Sequence, residues 1–423
     1  MVGPSRGRKP RASALKVMYL SPLGELGGAE RALLDLMAAL RAANPEWCLR
    51  LVAASDGELV TRARELGVAA SVILLPPVIA ALGDAGAGGP AGRQTRLRKV
   101  TGRLVKALPA MMLYAQDLKH AIAEAAPDLV HTNGFKMHLL GVLCRPRYVP
   151  VLWHIHDFVQ ARPMMRRLLR MHSRRCAAVV ANSRSVAADA RMALGKAARI
   201  FTVYNAIDLK RFCVNGPRLD LDKLAGMPPL GEGGVRVGLL ATMARWKGHE
   251  TFLRALSLVP ESVPIRGYVI GGPLYHTRGS QYTLEELRAM AAQLGVGGRV
   301  AFTGFVTDPA AAMRALDVVV HASTEPEPFG LVIAEAMACG RAVVASADGG
   351  AAEIVSDGVD ALTHAPGDFQ TLARIITKLA LDPELRLRLG RTAAASAAGR
   401  FTRERLAAEM TPIYREVVAA HAR

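Results

Sequence analysis

The feature that most constrains this chain is a rhythm. Short apolar runs recur, each ending in glycine or polar residues and each followed by a helix-length stretch without breakers. Seven such runs (16–21, 49–54, 68–75, 128–132, 149–155, 177–181, 200–204) precede a joint rich in proline and glycine. Six more (235–240, 267–270, 299–303, 317–321, 342–345, 361–363) follow it. A continuous apolar run suits a strand covered on both faces, and alternation with helices implies parallel βα units. The joint, residues 213–234, holds Pro217, Gly226, Pro228, Pro229, Gly231, Gly233 and Gly234, so it marks a domain boundary. The expected fold is α/β, with two doubly wound Rossmann-like domains facing each other across a cleft. Its expected parts are a basic disordered tail (1–15), an N-terminal domain (16–212), a linker (213–234), a C-terminal domain (235–400) and a last helix (401–423) packing back on the first domain. Polar clusters such as Asn133-Gly134, His154-Ile155-His156-Asp157 and Asn182-Ser183 fall at carboxyl ends of runs, where open α/β sheets bind ligands.

Charge narrows the partners. With 54 Lys and Arg against 36 Asp and Glu, the net charge of +18 calls for an anionic partner. One basic segment carries Arg96, Arg98, Lys99, Arg103 and Lys106; another carries Arg166, Arg167, Arg170, Arg174 and Arg175. Their apolar spacing suits helices lying on an anionic membrane surface, and equally suits solvated helices of the domain. No nucleic-acid motif or aromatic stacking series is present, so no nucleic acid is expected. Five dispersed cysteines (Cys48, Cys144, Cys176, Cys213, Cys339) read as thiols in a reducing compartment. No signal peptide and no apolar run of membrane-spanning length stand out. The expected location is the cytoplasm, in solution or peripheral on the inner face of the plasma membrane.

The stretch from Glu325 to Gly340 carries the clearest chemistry. Pro326 and Pro328 keep Glu327 out of a helix, whereas the residues from Leu331 form one that stops at Gly340. Glu327 thus lies in a rigid loop and Glu335 in the helix. The free amides of Phe329, Gly330 and Leu331 carry the positive end of the dipole, which suits a phosphate. A buried helix with acidic residues near its start would show the same spacing. The turn Pro22 to Gly28 between a strand and a helix has the shape of a ligand loop.

Together these stretches resemble a known family, the retaining glycosyltransferases of the GT-B fold, specifically the large family 4 (glycosyl transferases group 1). Glu327-Pro328-Phe329-Gly330-Leu331 with Glu335 resembles its E-x7-E signature. Gly27-Gly28 with Glu30, Asn205-Ala206-Ile207-Asp208 with Phe212, Lys247-Gly248, Phe302 to Val306, and Gly349-Gly350 with Glu353-Ile354 resemble further family motifs, in order from about residue 20 to 360. The resemblance implies transfer of a hexose from a nucleotide-diphosphate sugar, UDP- or GDP-linked, to a hydroxyl of a glycan or lipid-linked acceptor. It implies retention of configuration, no divalent metal and no separate cofactor. Glu335 would accept from the ribose hydroxyls, and Glu327 would face the transferred sugar. Lys247 would offset charge on the leaving diphosphate. Phe305 and Val306 would border the base. Gly27, Gly28 and the amides at Phe329, Gly330 and Leu331 would approach the donor. His156 matches the family's histidine near the sugar, with His154 open as an alternative two positions away.

The chain departs from the family at Thr242, where an arginine is frequent; Arg245 is the candidate replacement. A related epimerase or phosphorylase, and a non-enzymatic basic protein that binds membrane or nucleic acid, are the competing readings.

Overall fold

The computed structural model describes residues 14–77, 93–196, 198–273 and 280–421, with the side chains of 93–107 excepted. The tail over 1–13 and the glycine-rich stretch 83–92 therefore lie outside the described residues, as do the basic side chains from Arg96 to Lys106. The backbone of that last segment belongs to a helix, Arg93–Ala125.

All thirteen strands among the described residues are parallel. In the first sheet β1 (Lys16–Ser21), β2 (Cys48–Ala53), β3 (Ala69–Val72), β4 (Leu129–Asn133), β5 (Val151–Ile155), β6 (Ala178–Ala181) and β7 (Ile200–Thr202) take the order 3-2-1-4-5-6-7. In the second, β8 (Val235–Leu240), β9 (Ile265–Ile270), β10 (Val300–Gly304), β11 (Val318–His321), β12 (Ala342–Ser346) and β13 (Leu362–His364) take the order 10-9-8-11-12-13. Each apolar run read from the sequence is one of these strands, because both faces of each sheet are covered by separate apolar cores. The third run was read as far as residue 75; β3 stops at Val72, although Ile73 and Leu75 still donate to Ala53 and Ala54. β9 starts two residues before the run suggested. Arg266 interrupts the apolar pattern but pairs inside with Asp222 at 2.5 Å.

In each sheet the winding reverses beside the first strand, between β1 and β4 and between β8 and β11. Loops leaving the carboxyl ends of such strands open a crevice where ligands bind. Those loops hold Gly27 and Gly28 in the first domain, and Thr242–Lys247 and His321–Glu327 in the second.

The chain passes between domains at one step: Ala206 belongs to the first core and Ile207 to the second. Residues 213–234 are not a free connector. Leu221 is buried in the second core, and Asp222 binds Arg266, Arg236 (3.0 Å) and the Tyr268 hydroxyl (2.6 Å). The return crossing runs beside the first, with the Ile207 amide donating to the Phe401 carbonyl at 2.9 Å. The last helix, Arg403–His421, then buries Leu406, Met410, Tyr414 and Val417 with Leu33, Leu36 and Leu40 of the helix Gly28–Ala43.

Candidate functional site

Glu327 is fixed first by backbone. Gly330 adopts φ +96°, a conformation that strains any residue with a side chain, and it caps the helix Leu331–Ala338. Gly349 and Gly350 press against the loop: a Cβ on Gly350 would lie 2.1 Å from the Pro328 carbonyl oxygen. The Gly350 amide donates to the Glu327 carbonyl at 2.6 Å.

The Glu327 carboxylate is saturated with partners. Lys247 Nζ lies 2.7 and 3.0 Å from its two oxygens, Ser323 Oγ donates at 2.9 Å and His321 Nε2 lies at 3.2 Å. Burial alone would raise its pKa; the Lys247 charge and the His321 contact outweigh burial and hold it well below the ordinary range. Glu327 is therefore an anion at any physiological pH.

Glu335, in the helix Leu331–Ala338 that follows this loop, has the opposite setting. It is 6% exposed, and burial raises its pKa to about 7, against the charge of Arg31. Arg31 belongs to the other domain and faces Glu335 across the cleft at 3.9 Å, too far for a hydrogen bond. Asp35, one turn further along that helix, binds Arg403 at 2.6 Å, and Arg403 also meets Asp208 at 3.1 Å. Burial likewise raises Asp35 to about 6, with Arg403 opposing.

The remaining expected residues scatter. Phe329 is a core side chain, so only its backbone is open to a ligand role. Leu331 opens the helix, where its amide has no intrahelical acceptor. Phe305 is 72% exposed and Val306 packs at the edge of the core. Gly27 caps the helix Gly28–Ala43, and a Cβ added to Gly28 meets nothing within 4 Å. Glu30 turns back on that helix start, where burial raises its pKa to about 7 against hydrogen bonds from its own amide and that of Gly27. Arg245 does not join Lys247 at Glu327; its guanidinium meets Glu286 at 3.3 Å and stacks over the Tyr282 ring at 4.2 Å.

On the N-terminal wall the groups are neutral. The ring centroids of His154 and His156 lie 4.0 Å apart, and those of His131 and His154 lie 5.1 Å apart. Burial lowers both His131 and His156 to about 3, so neither carries charge. The Tyr414 hydroxyl, from the last helix, lies 2.7 Å from His131 Nδ1. Among the described residues, both ring nitrogens of His154 and His156, His131 Nε2, and the carboxamide oxygens of Asn133 and Asn182 are buried without a hydrogen-bond partner. His154 is fully interior, whereas His156 retains some exposure although both its ring nitrogens are buried. Among the described residues no His, Cys, Asp and Glu side chains converge as a metal-binding group.

Several contributors were not foreseen. His321 and Ser323 close the shell around Glu327. Glu353, noted only as part of a motif, joins the domains: it accepts from Ser185 Oγ (2.6 Å), the Ser185 amide (2.7 Å), the Arg184 amide (2.9 Å) and the Tyr204 hydroxyl (2.9 Å). It thereby caps the helix Arg184–Leu194 from the opposite domain.

The chain matches two family models: "Glycosyltransferase Family 4" over residues 26–211 and "Glycosyl transferases group 1" over residues 230–396. It is 28% identical to a D-inositol 3-phosphate glycosyltransferase of Streptomyces griseus, over 98% of this chain and 91% of the relative. It is 36% identical to a protein of that name from Xylanimonas cellulosilytica, over 56% of each. Among solved structures it is similar to Anabaena HepE in complex with UDP and glucose: TM-score 0.75, 26% identity, 94% of this chain and 99% of that one.

Proposed function

Because this chain belongs to the glycosyl transferases of group 1, with the GT-B fold, we propose that it moves a hexose from a nucleotide-diphosphate sugar to a hydroxyl of a glycan or lipid-linked acceptor, with retention and without a divalent metal. The observation that carries this reading is the pair of unlike carboxylates flanking one helix start. Glu327 is ionised and held by Lys247, His321 and Ser323; Glu335 is buried and, among the described residues, has Arg31 at 3.9 Å as its ion-pair partner. A diol would be a hydrogen-bonding partner for it, since an ionised carboxylate accepts from two hydroxyls. The ribose would lie on Glu335. The diphosphate would lie over the amides at Gly330 and Leu331, and the hexose beside Glu327.

As the bond to the anomeric carbon breaks, negative charge grows on the diphosphate and positive charge on the sugar ring. Lys247 and the helix amides would meet the first, and the Glu327 carboxylate the second. The acceptor hydroxyl would approach on the leaving-group side, passing its proton to the departing phosphate. The neutral wall of His156, Asn133 and Asn182 offers donors and acceptors to sugar hydroxyls without adding charge. UDP is the first nucleotide to test, since the similar HepE structure holds UDP.

The acceptor side adds one feature. On the helix Pro163–His172 only Leu169 is buried, while Arg166, Arg167 and Arg170 are exposed beside Met164 (52%) and Met171 (65%). Apolar knobs among arginines suit an anionic lipid surface, and a lipid-linked acceptor would be met there. Among the described residues no helix is long and apolar enough to cross a membrane. The experiment is a binding panel of UDP, GDP, ADP and their sugars, followed by an acceptor screen and determination of the product's anomeric configuration. Stabilisation by one nucleotide and a retained configuration are expected; no binding by any nucleotide, or an inverted product, would contradict the reading.

A further inference from the structure

The charge balance around the donor site leaves a gap in the C-terminal domain. Lys247 is neutralised at 2.7 Å by Glu327. Arg245 is engaged by Glu286 and Tyr282. Thr242, in the same loop, is uncharged, and its buried Oγ1 has no partner among the described residues. A nucleoside diphosphate carries at least two negative charges, so this wall meets it with helix amides and a lysine whose charge is already offset.

Arg31 on the facing wall can fill that gap. It lies in the first turn of the helix Gly28–Ala43, beside the glycine loop that opens on the cleft. The other cations at this end of the cleft have closer partners: Arg403 has Asp35 and Asp208, Arg211 has the Thr307 carbonyl at 3.2 Å, and Arg184 has Glu353 at 3.3 Å. Arg31 stands 3.9 Å from Glu335 with its side chain 37% exposed. It is held near the expected ribose carboxylate but not bonded to it. A ribose seated on Glu335 would bring its phosphates within a side-chain swing of this guanidinium.

We propose that Arg31 supplies a phosphate-binding cation from the N-terminal domain, reaching across the cleft to the donor's diphosphate. This rests on the donor reading above.

The test compares wild type, Arg31→Gln and Arg31→Lys. Kd is measured by calorimetry for whichever of UDP, GDP or ADP the wild type binds, and by ligand-observed NMR for the matching nucleoside. A charge-assisted phosphate contact predicts that Arg31→Gln weakens diphosphate binding by about tenfold or more and nucleoside binding by less than about twofold, with Arg31→Lys between. Unchanged diphosphate affinity, or equal weakening of nucleoside and diphosphate, overturns the assignment and leaves the donor reading standing. Wild type that binds none of the three diphosphates overturns both. Melting temperatures of the variants show whether each is folded, and Arg31→Lys keeps the test decisive if Arg31→Gln is not.

Discussion

On the C-terminal wall of the cleft, Glu327 is an anion with Lys247, Ser323 and His321 within 3.2 Å. On the N-terminal wall, His131, His154 and His156 are neutral and, among the described residues, their buried nitrogens lack partners, save for the Tyr414 contact. Both walls are carboxyl edges of parallel sheets wound the same way, so topology does not explain the difference. On the donor reading proposed above, the difference lies in what each wall would meet. A wall facing a diphosphate and a sugar cation must have its charges fixed beforehand, since reorganising them during the reaction would add to the barrier. A wall facing hydroxyls gains from unsatisfied neutral donors and acceptors, which a polyol or ordered water completes.

The comparison breaks most readily at Lys247. Lys247→Met removes the charge proposed to meet the leaving group and leaves a buried carboxylate without its cation. Activity should fall by about 10²–10³-fold, and unfolding free energy by about 2–3 kcal/mol, reduced from the fully buried case because Lys247 is 25% exposed. The double variant Lys247→Met/Glu327→Gln should regain most of the stability and none of the activity. Chemical denaturation and initial rates measure both; recovery of activity would show that the ion pair is structural only.

Glu335 sharpens the comparison through pH. Its folded pKa, about 7, stands above the ordinary carboxylate value. Its contribution to stability is therefore complete below pH 4.5 and lost as pH rises towards 7. Ribose binding should favour the ionised form, so nucleotide affinity should fall by about tenfold per pH unit below 7. Glu335→Gln should flatten both profiles. Glu353 has the opposite sign: despite its burial, hydrogen bonds from Ser185 and Arg184 lower its pKa. Its stability is present above about pH 4.5 and lost as pH falls. Glu353→Gln should cost about 1–2 kcal/mol and loosen the domains, measurable as a larger radius of gyration by X-ray scattering.

The smallest effect is expected at Tyr414. Tyr414→Phe leaves His131 Nδ1 unpaired in the interior, a cost of about 1 kcal/mol in thermal unfolding. The rate should change little, because this contact is remote from Lys247 and Glu327. A rate loss as large as that of Lys247→Met would show that the N-terminal wall carries the chemistry.

The sequence was most informative where local physics decides. Strands covered on both faces appear as uninterrupted apolar runs, so every strand was legible, and errors arose where a buried ion pair such as Arg266–Asp222 enters a strand. Glu327 and Glu335 were legible because prolines and glycines fix the backbone around them. Arg245 was read as a phosphate contact, and its ion pair with Glu286, 41 residues away on a separate helix, left no sign in the sequence. Arg31 looked like any charge on an amphipathic helix, and Tyr414 pairs with His131 across 283 residues. Such long-range pairings leave no periodic trace.

On the proposed reading, donor binding and turnover are divided between two carboxylates that flank one helix start. The direct measurement is nucleotide-sugar Kd and kcat for Glu335→Ala and Glu327→Ala, side by side with wild type. The account predicts that Glu335→Ala loses donor affinity, whereas Glu327→Ala binds the donor nearly as wild type does and turns over at least about a hundredfold more slowly. Equal activity in all three proteins, or the two effects exchanged, would contradict it.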